Sequence, residues 1–369
     1  MKLARLIQVL GIWVYCVGGA SKGYAQDAEW QSGLMLDFAY AANLEHDQTR
    51  SWRSKLTTNR LNQLAPNMGM AYLRKLQDEN SPWGMELALQ AGYDTDGLVP
   101  DQQRIAGYSW LRYLARANLS YRLPFGNGLN ITGGLMNSFI GLESMWSRDN
   151  NHISRSWMAD YSPYYVIGIG GQYPVNKDLQ LGLFLLNDYD YLAYRTSQPK
   201  YATQVVWTIN QNWKYTQNLF AGTEQHSSGS SWRYFSDSIL QWSAESLTLA
   251  WAFDSGSQEG GKQQAFWLAS MLSGRWQLQS EWALALRPEL YWDADGLMTG
   301  QRQLIKGATA TLEYKTHQAS LSSLWRLEYR LDTTSGNQAG FYTGSEQVQS
   351  LVGHQQLLMV SCVLSFDSQ

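Results

Sequence analysis

The 369-residue sequence lacks most features of a soluble enzyme or a disulfide-rich secreted domain. It has two cysteines, and only Cys362 lies beyond the N-terminal segment, so neither an internal disulfide framework nor a cysteine-based metal site is expected. Helical periodicity is nearly absent after residue 26, and no later apolar run is long enough for a membrane-spanning helix. No paired-histidine spacing indicates zinc, and no cofactor motif was found.

Basic residues are not in excess, which argues against nucleic acid as a partner. The formal net charge is −3, from 28 Lys and Arg against 31 Asp and Glu. Three of the basic residues, Lys2, Arg5 and Lys22, lie in the N-terminal segment, which leaves 25 against 31 without them. An acidic chain of this kind is not expected to bind a polyphosphate.

The first 25 residues have the pattern of a secretory signal peptide. Lys2 and Arg5 precede a short apolar run over residues 6–17, and small residues stand at Gly23 and Ala25. Signal peptidase accepts this spacing, so cleavage after Ala25 is expected. The sequence therefore predicts a signal peptide at 1–25 and an exported protein over 26–369.

What the chain does have is aromatic residues in alternating segments. It contains 17 Trp and 22 Tyr against 10 Phe, which favours the aromatics that suit a boundary between lipid and water. In the stretch 281–293, one set of alternate residues is apolar from Trp282 to Trp292, and the other holds Arg287, Glu289 and Asp293. Alternation with period two predicts a β-strand with two different environments on its faces.

About sixteen such strands are predicted. They cover 34–44, 67–77, 83–94, 110–123, 128–138, 163–174, 179–188, 200–210, 217–226, 231–242, 247–255, 264–274, 281–293, 304–315, 320–332 and 354–366. Short links such as 124–127, 175–178 and 243–246 alternate with longer ones such as 45–66 and 139–162. Short periplasmic turns and long outer loops are typical of an outer-membrane barrel.

Strand length agrees with a membrane. Trp83 and Tyr93, like Trp282 and Trp292, are separated by ten residues on one face. Ten residues rise roughly 33 Å, and a tilt of about 40–45° projects this to roughly 24 Å, close to the apolar band of such barrels. The sequence therefore predicts an all-β, transmembrane, antiparallel up-and-down barrel. Pro288 is the exception, because it removes a ladder hydrogen bond in mid-strand, where we expect a bulge or a strained pair.

If the apolar face meets lipid, the charged face lines the interior. So many charges would be costly in a dry core, so we expect a hydrated lumen and hence a pore. For any one residue, a purely structural place in the wall is an equal alternative. The predicted pore-lining residues are Glu86, Arg116, Arg122, Arg287, Glu289, Arg326, Glu328 and Arg330.

The long loop at 139–162 is the candidate for a constriction of the lumen. It carries Glu143, Arg148, Asp149, His152 and Arg155. A loop that only shields the outer mouth of the barrel is the alternative.

Three stretches resemble the β-barrel porin type 2 family of Gram-negative outer membranes. They are "YRLPFGNGLNITGGLMNSFIGLES" with the following "SRS", "LALRPELYWDADG", and "WRLEYRLDTTSGN". The resemblance spans most of 110–366. It implies a passive diffusion porin in the outer membrane, in contact with lipid, periplasmic chaperones and the barrel-assembly machinery, and open to homo-oligomers. The tail after Phe366 departs from the family, whose barrels end on an aromatic residue.

Three other functions are alternatives to a porin. The "HSSG" at 226–229 is similar to the His-x-Ser of outer-membrane phospholipases A, with Ser228 as the nucleophile, although no orienting Asn was found. The "DADG" at 293–296 supplies oxygens for calcium, but no acidic residue follows, which favours a plain loop. A non-conducting adhesive or structural barrel is the third alternative.

Overall fold

The computed structural model describes residues 30–46, 48–78, 80–98, 111–188, 198–226, 229–260, 263–336, 338–345 and 350–368. Sixteen antiparallel strands form a closed barrel in which each strand pairs with its neighbours in the sequence. The predicted fold is therefore confirmed. The predicted signal peptide at 1–25 lies outside the described residues. No helix in the described ranges is long and apolar enough to cross a membrane.

The barrel strands are longer than the links at one end of the barrel. They are β1 (Trp30–Asn43), β2 (Leu64–Lys75), β3 (Trp83–Ala91), β4 (Leu114–Leu123), β5 (Leu129–Asn137), β6 (Tyr165–Pro174), β7 (Leu179–Leu186), β8 (Lys200–Thr208), β9 (Trp213–His226), β10 (Gly229–Ser243), β11 (Leu247–Gly260), β12 (Gln263–Gln277), β13 (Trp282–Asp293), β14 (Gln303–Gln318), β15 (Leu321–Ser335) and β18 (His354–Asp367). A small hairpin of β16 (Phe341–Thr343) and β17 (Ser350–Val352) lies outside the barrel sheet.

The barrel closes where the first strand meets the last. β1 and β18 pair from Gly33 opposite Asp367 to Asn43 opposite Leu357. Every backbone group in lipid needs an internal partner, so closure is a requirement for a sheet in a membrane. The first residue of β1 and the last residue of β18 both lie at the end of the barrel with short turns (the short-turn end), opposite the long-loop end.

The alternation of β13 gives the two faces that the sequence predicts. Trp282, Leu286 and Trp292 are exposed on the outer surface, whereas Arg287 and Asp293 are completely buried inside. The same outward exposure of Trp and Leu recurs around the barrel. An apolar outer surface with aromatic ends is what lipid requires.

Pro288 interrupts one ladder without shifting it. β12 and β13 pair at Met271 opposite Glu289 and again at Gly274 opposite Leu286, in the same register, with no pairing between. On its other side Pro288 is paired with Ala308 of β14. The expected bulge is therefore not formed, because the missing N–H costs only a local gap on the β12 side.

Several predicted strand boundaries differ from the structure, and the predicted end of the third strand at residue 94 matters most. β3 ends at Ala91, and Tyr93 begins the short helix α1 (Tyr93–Leu98). The guanidinium carbon of Arg60 lies 4.6 Å from the centroid of the Tyr93 ring. Tyr93 therefore contacts Arg60 and does not lie at a lipid boundary. The spacing of Trp83 and Tyr93 is therefore no measure of the membrane thickness. Trp282 and Trp292, by contrast, do lie at the two ends of one strand.

Candidate functional site

The segment between β5 and β6, residues 138–164, folds into the barrel and is called the inserted loop here. It contains a 3₁₀ turn (Ser147–Asp149) and the single-turn helix α2 (Trp157–Asp160), whose N-cap Ser156 accepts from Ala159 N at 3.0 Å. Asn150 closes a turn by accepting from Ser144 N and donating to Ser144 O, both at 2.7 Å. Such local side-chain bonds replace the ladder that an irregular segment lacks.

Glu328 of β15 binds the centre of the inserted loop. Its carboxylate accepts hydrogen bonds from Ile153 N at 2.6 Å and Ser154 N at 3.1 Å, and also from the Ser154 hydroxyl. Thr311 of β14 donates a further bond at 2.9 Å. One carboxylate therefore satisfies two backbone amides that have no strand partner.

Guanidinium groups of the wall bind the carbonyls of the same loop. Arg326 donates to Ser147 O at 2.9 Å and to Asn150 O, and Arg330 donates to Arg155 O at 3.1 Å. On β15, the carboxylate of Glu328 thus accepts from backbone N–H groups of the loop, and the guanidiniums of Arg326 and Arg330 donate to its C=O groups.

The neighbouring strand β13 anchors the loop in two places. Arg287 lies 2.5 Å from the Glu143 carboxylate and donates to Ser154 O at 2.9 Å. Glu289 accepts from Trp157 N at 2.5 Å at the start of α2, where a negative charge meets free amides. The predicted loop and wall residues are therefore brought together.

These wall charges are not hydrated. Arg287, Glu328 and Arg330 have no exposed surface, and Arg326 retains 2%. The expectation of a watery surface along β13 and β15 does not hold, because the inserted loop covers it. Burial of single charges is costly, but here each one is paired or hydrogen-bonded, for instance Arg330 to Glu289 at 2.8 Å.

A second outer segment, residues 44–63, packs on the inserted loop. Lys55 lies 2.6 Å from Asp160 of α2, and both are fully buried. Burial lowers the pKa of Lys55, whereas the Asp160 carboxylate opposes this shift. Burial raises the pKa of Asp94 in α1 to about 7, although Arg155 lies 3.7 Å away.

Apolar side chains fill the interior around these contacts. Trp52 meets Trp157 edge to face with centroids 6.2 Å apart, and Phe341 lies 6.2 Å from Trp157 on another side. Leu61 and Ile153 belong to the same buried cluster. Toward the long-loop end the interior is thus a packed core formed by three outer segments and the wall.

A cavity of about 260 Å³ remains between the inserted loop and the wall of β10–β12. Half of its lining residues carry an amide or a hydroxyl, and Glu143 and Asp149 add carboxylates; the amide and hydroxyl residues are Asn150, Asn151, Gln241, Ser243, Thr248 and Ser273. His152 also lines it, and burial lowers the pKa of that imidazole well below its ordinary range. The cavity lies toward the short-turn end, where β10 and β11 are joined.

The other predicted site residues are dispersed. Arg116 is buried against the ring of Trp146, 4.0 Å from Glu86 of β3. Arg122 is exposed near the short turn at 124–128. Arg148 binds the tail residue Asp367 at 2.9 Å, and Asp149 lies 3.8 Å from Arg148.

The tail that departs from the family pattern has a structural place. Asp367 accepts from the Tyr72 hydroxyl at 2.6 Å and binds Arg148, so the end of β18 holds the 3₁₀ turn of the inserted loop.

Sequence reasoning did not identify several residues that hold the loop. Lys55 lies in an irregular segment, and Asp94 and Asp160 lie in short helices outside the strands, where the alternation of a strand predicts no direction. Asp237 and Asp254 are different, because they are among the alternate residues of β10 and β11 that point into the barrel, and they accept hydrogen bonds from the loop. The alternation of "LTLAWAFD" does place Asp254 inside.

The alternative sites are only partly described. Ser228 lies outside the described residues. Asp293 of the "DADG" motif accepts from the backbone of Leu297, Met298 and Thr299 at 2.7–2.9 Å, so it caps its own loop. Within the described ranges, no group of three or more His, Cys, Asp or Glu is arranged to hold a metal ion.

A closed barrel of sixteen antiparallel strands with an apolar outer belt and a loop folded inside is the architecture of porins. Residues 31–366 match the family described as "Putative beta-barrel porin-2, OmpL-like". The chain belongs to this family. No curated protein matches it.

Solved porins share the fold at low identity. The outer membrane channel DcaP of Acinetobacter baumannii aligns with a TM-score of 0.57 and 8% identity, over 94% of this chain and 100% of that one. An anion-selective porin from Comamonas acidovorans gives 0.55 and 12%, over 93% and 99%. OmpT of Vibrio cholerae gives 0.56 and 7%, over 94% and 100%. These likenesses concern the fold alone.

Proposed function

We propose that this protein is a porin through which small hydrophilic solutes or ions diffuse passively, with the inserted loop as its constriction. The observation that carries this is the loop itself, which is held inside a closed barrel by Glu328, Arg326 and Arg287 and leaves a polar cavity along β10–β12. A wall that only supports a barrel has no need to position a loop in this way.

The predicted pore-lining residues take two roles in this proposal. Arg287, Glu289, Arg326, Glu328 and Arg330 hold one edge of the inserted loop and so set the width of the passage. Nearer the short-turn end, solute passes Glu86 and Arg122, together with the polar side chains of the cavity, whereas Arg116 is buried against Trp146 and supports the wall. Glu143, Arg148, Asp149 and Arg155 belong to the constriction.

The location follows from the same reasoning. We infer an outer-membrane protein that is exported by its cleaved N-terminal segment, delivered by periplasmic chaperones and inserted by the barrel-assembly machinery. The short-turn end then faces the periplasm. A homo-oligomer is compatible with this fold, since OmpT of Vibrio cholerae has been solved in a trimer form.

Single-channel recording in planar bilayers tests the proposal. The full mature chain, refolded and shown to be a barrel by its β-type circular dichroism, is expected to give stepwise conductance. Swelling of liposomes in neutral sugars, amino acids and salts would then rank the solutes. A barrel that is correctly folded but silent in both assays would overturn the proposal in favour of a structural role.

A further inference from the structure

Two carboxyl groups face each other inside the barrel and contact residues near both ends of the inserted loop. Asp237 of β10 and Asp254 of β11 are direct partners in the antiparallel register. They are 0% and 2% exposed, and their side chains are in hydrogen-bond contact. Opposed residues of an antiparallel pair have Cβ atoms roughly 4.5–5.5 Å apart, so the contact is built into the sheet.

No cation balances this pair within the described part of the chain. The flanking strands contribute Asn218 of β9 beside Asp237 and Ala269 of β12 beside Asp254. The two acids of the inserted loop that lie two residues from Gly141 and Ser162 have other partners, since Glu143 binds Arg287 and Asp160 binds Lys55. Two buried carboxylates at this distance cannot both be ionised without strong repulsion.

The hydrogen bonds also require a proton on the pair. Oδ1 of Asp237 and Oδ1 of Asp254 are both buried and meet no donor group, so a proton held between the two carboxyls satisfies them. The Ser162 hydroxyl lies 3.0 Å from Asp254 Oδ2 and 3.0 Å from Met158 O. The hydroxyl has one proton to give, so it donates to one of these two acceptors at a time.

The pair binds both ends of the inserted loop. Gly141 N, near the beginning, donates to Asp237 Oδ2 at 2.9 Å, and Ser162, near the end, contacts Asp254. Asn218 donates to Asp237 at 2.7 Å and in turn accepts from Gln204 at 3.0 Å. The chain leaves the wall at the end of β5 and rejoins it at the start of β6, but residues near both of these points are also held by the pair on β10 and β11, so a change at the pair acts on both ends of the loop.

We propose that Asp237 and Asp254 share one proton and act as positioning residues that clamp the inserted loop inside the barrel in a pH-dependent way. The clamp rests on the proposed function as a channel. With one proton the pair carries a single negative charge and holds both loop ends. When rising pH removes that proton to solvent, the two adjacent carboxylates repel each other and the contact between them is lost. Gly141 and Ser162, at the two ends of the loop, then move away from β10 and β11.

Conductance measured against pH tests the clamp. The wild-type chain is expected to show a several-fold rise in single-channel conductance as the pH is raised through loss of the shared proton. Asp254→Asn keeps the charge of the protonated pair, and its amide supplies a donor that does not titrate. This variant is expected to stay at the low conductance throughout. Glu245→Gln, an exposed acid in the turn between the same two strands, is the control and should behave like wild type.

Two results would overturn the clamp: a wild-type conductance that does not change with pH, or an Asp254→Asn variant that titrates as wild type does. If Asp254→Asn does not fold, Asp237→Asn provides the same comparison. If wild type is silent at every pH, the channel function fails separately. Infrared spectroscopy then reads the pair directly, since the C=O band of a buried protonated carboxyl should be present at neutral pH in wild type and lost in Asp254→Asn. Its absence from wild type refutes the shared proton.

Discussion

Replacement of Glu328 by alanine should release the inserted loop without opening the barrel. The carboxylate accepts from two backbone amides, Ile153 N and Ser154 N, and from the hydroxyls of Ser154 and Thr311. The hydroxyls can turn to other acceptors, but the two amides cannot. A buried donor without a partner costs about 1–3 kcal/mol, so the docked loop loses about 2–6 kcal/mol.

This energy is lost from loop docking and not from the barrel, because the ladders of β15 with β14 and β18 do not use the side chain. A loss of about 4 kcal/mol is roughly a thousandfold change in the docking equilibrium. We therefore expect larger and noisier single-channel currents in Glu328→Ala, and cleavage of residues 138–164 by added protease, while the urea midpoint of the barrel is nearly unchanged.

The control is Glu281→Ala, which removes an equal charge from an exposed turn before β13. It should leave the current and the protease pattern as in wild type. If Glu328→Ala conducts like wild type and its loop remains protected, the wall charges do not hold the loop, and the reasoning is refuted.

Three further changes test other parts of the structure. Burial raises the pKa of Asp94 to about 7, so the folded state holds its proton more strongly than the unfolded state does. The packing of residues 44–63 should therefore weaken as the pH rises from about 4 to about 7, and their protection from protease should fall with it. Asp94→Asn should abolish this pH dependence. Leu286→Arg at the middle of the lipid face should destabilise the barrel by about 2–4 kcal/mol in urea titrations in vesicles, whereas Leu278→Arg beside a turn should cost about 0–1 kcal/mol; equal costs would contradict the assigned membrane position. Pro288→Ala can restore the missing ladder bond opposite Leu272 and should stabilise the barrel by about 0.5–1.5 kcal/mol, which an unchanged or lower urea midpoint would disprove.

The barrel could be predicted from the sequence because lipid imposes a simple rule on every strand. Each outward residue meets hydrocarbon and each inward one does not, so apolar and polar residues alternate along β13 from Trp282 to Asp293. This alternation predicts which side chains face lipid and which face the interior. The prediction that Tyr93 ends a strand at the lipid boundary was wrong, because an aromatic residue at this spacing can equally begin a helix. Nothing local distinguishes these two cases.

The contents of the barrel could not be predicted in the same way. Glu328 binds Ser154 across 174 positions of sequence, and Lys55 meets Asp160 across more than a hundred. No periodicity links an irregular loop to the wall it will meet. The sequence suggested that residues 139–162 could enter the lumen, but an outer cover for the mouth was an equal reading of the same residues. Only the hydrogen bonds to β13 and β15 separate the two.

The mixed charges of the wall are explained by the backbone that they cover. An irregular loop buried inside a barrel has amides and carbonyls without a sheet partner, and each needs one. Carboxylates of Glu328 and Glu289 meet amides, while Arg326 and Arg330 meet carbonyls. Both signs are required because the backbone presents both kinds of group. Near-balance of charge in this wall therefore reflects solvation of the inserted loop by protein in place of water. It does not indicate an ion preference of the proposed channel. Selectivity must be sought in the groups that the loop leaves uncovered, beside the cavity along β10–β12 and at the short-turn end near Arg122.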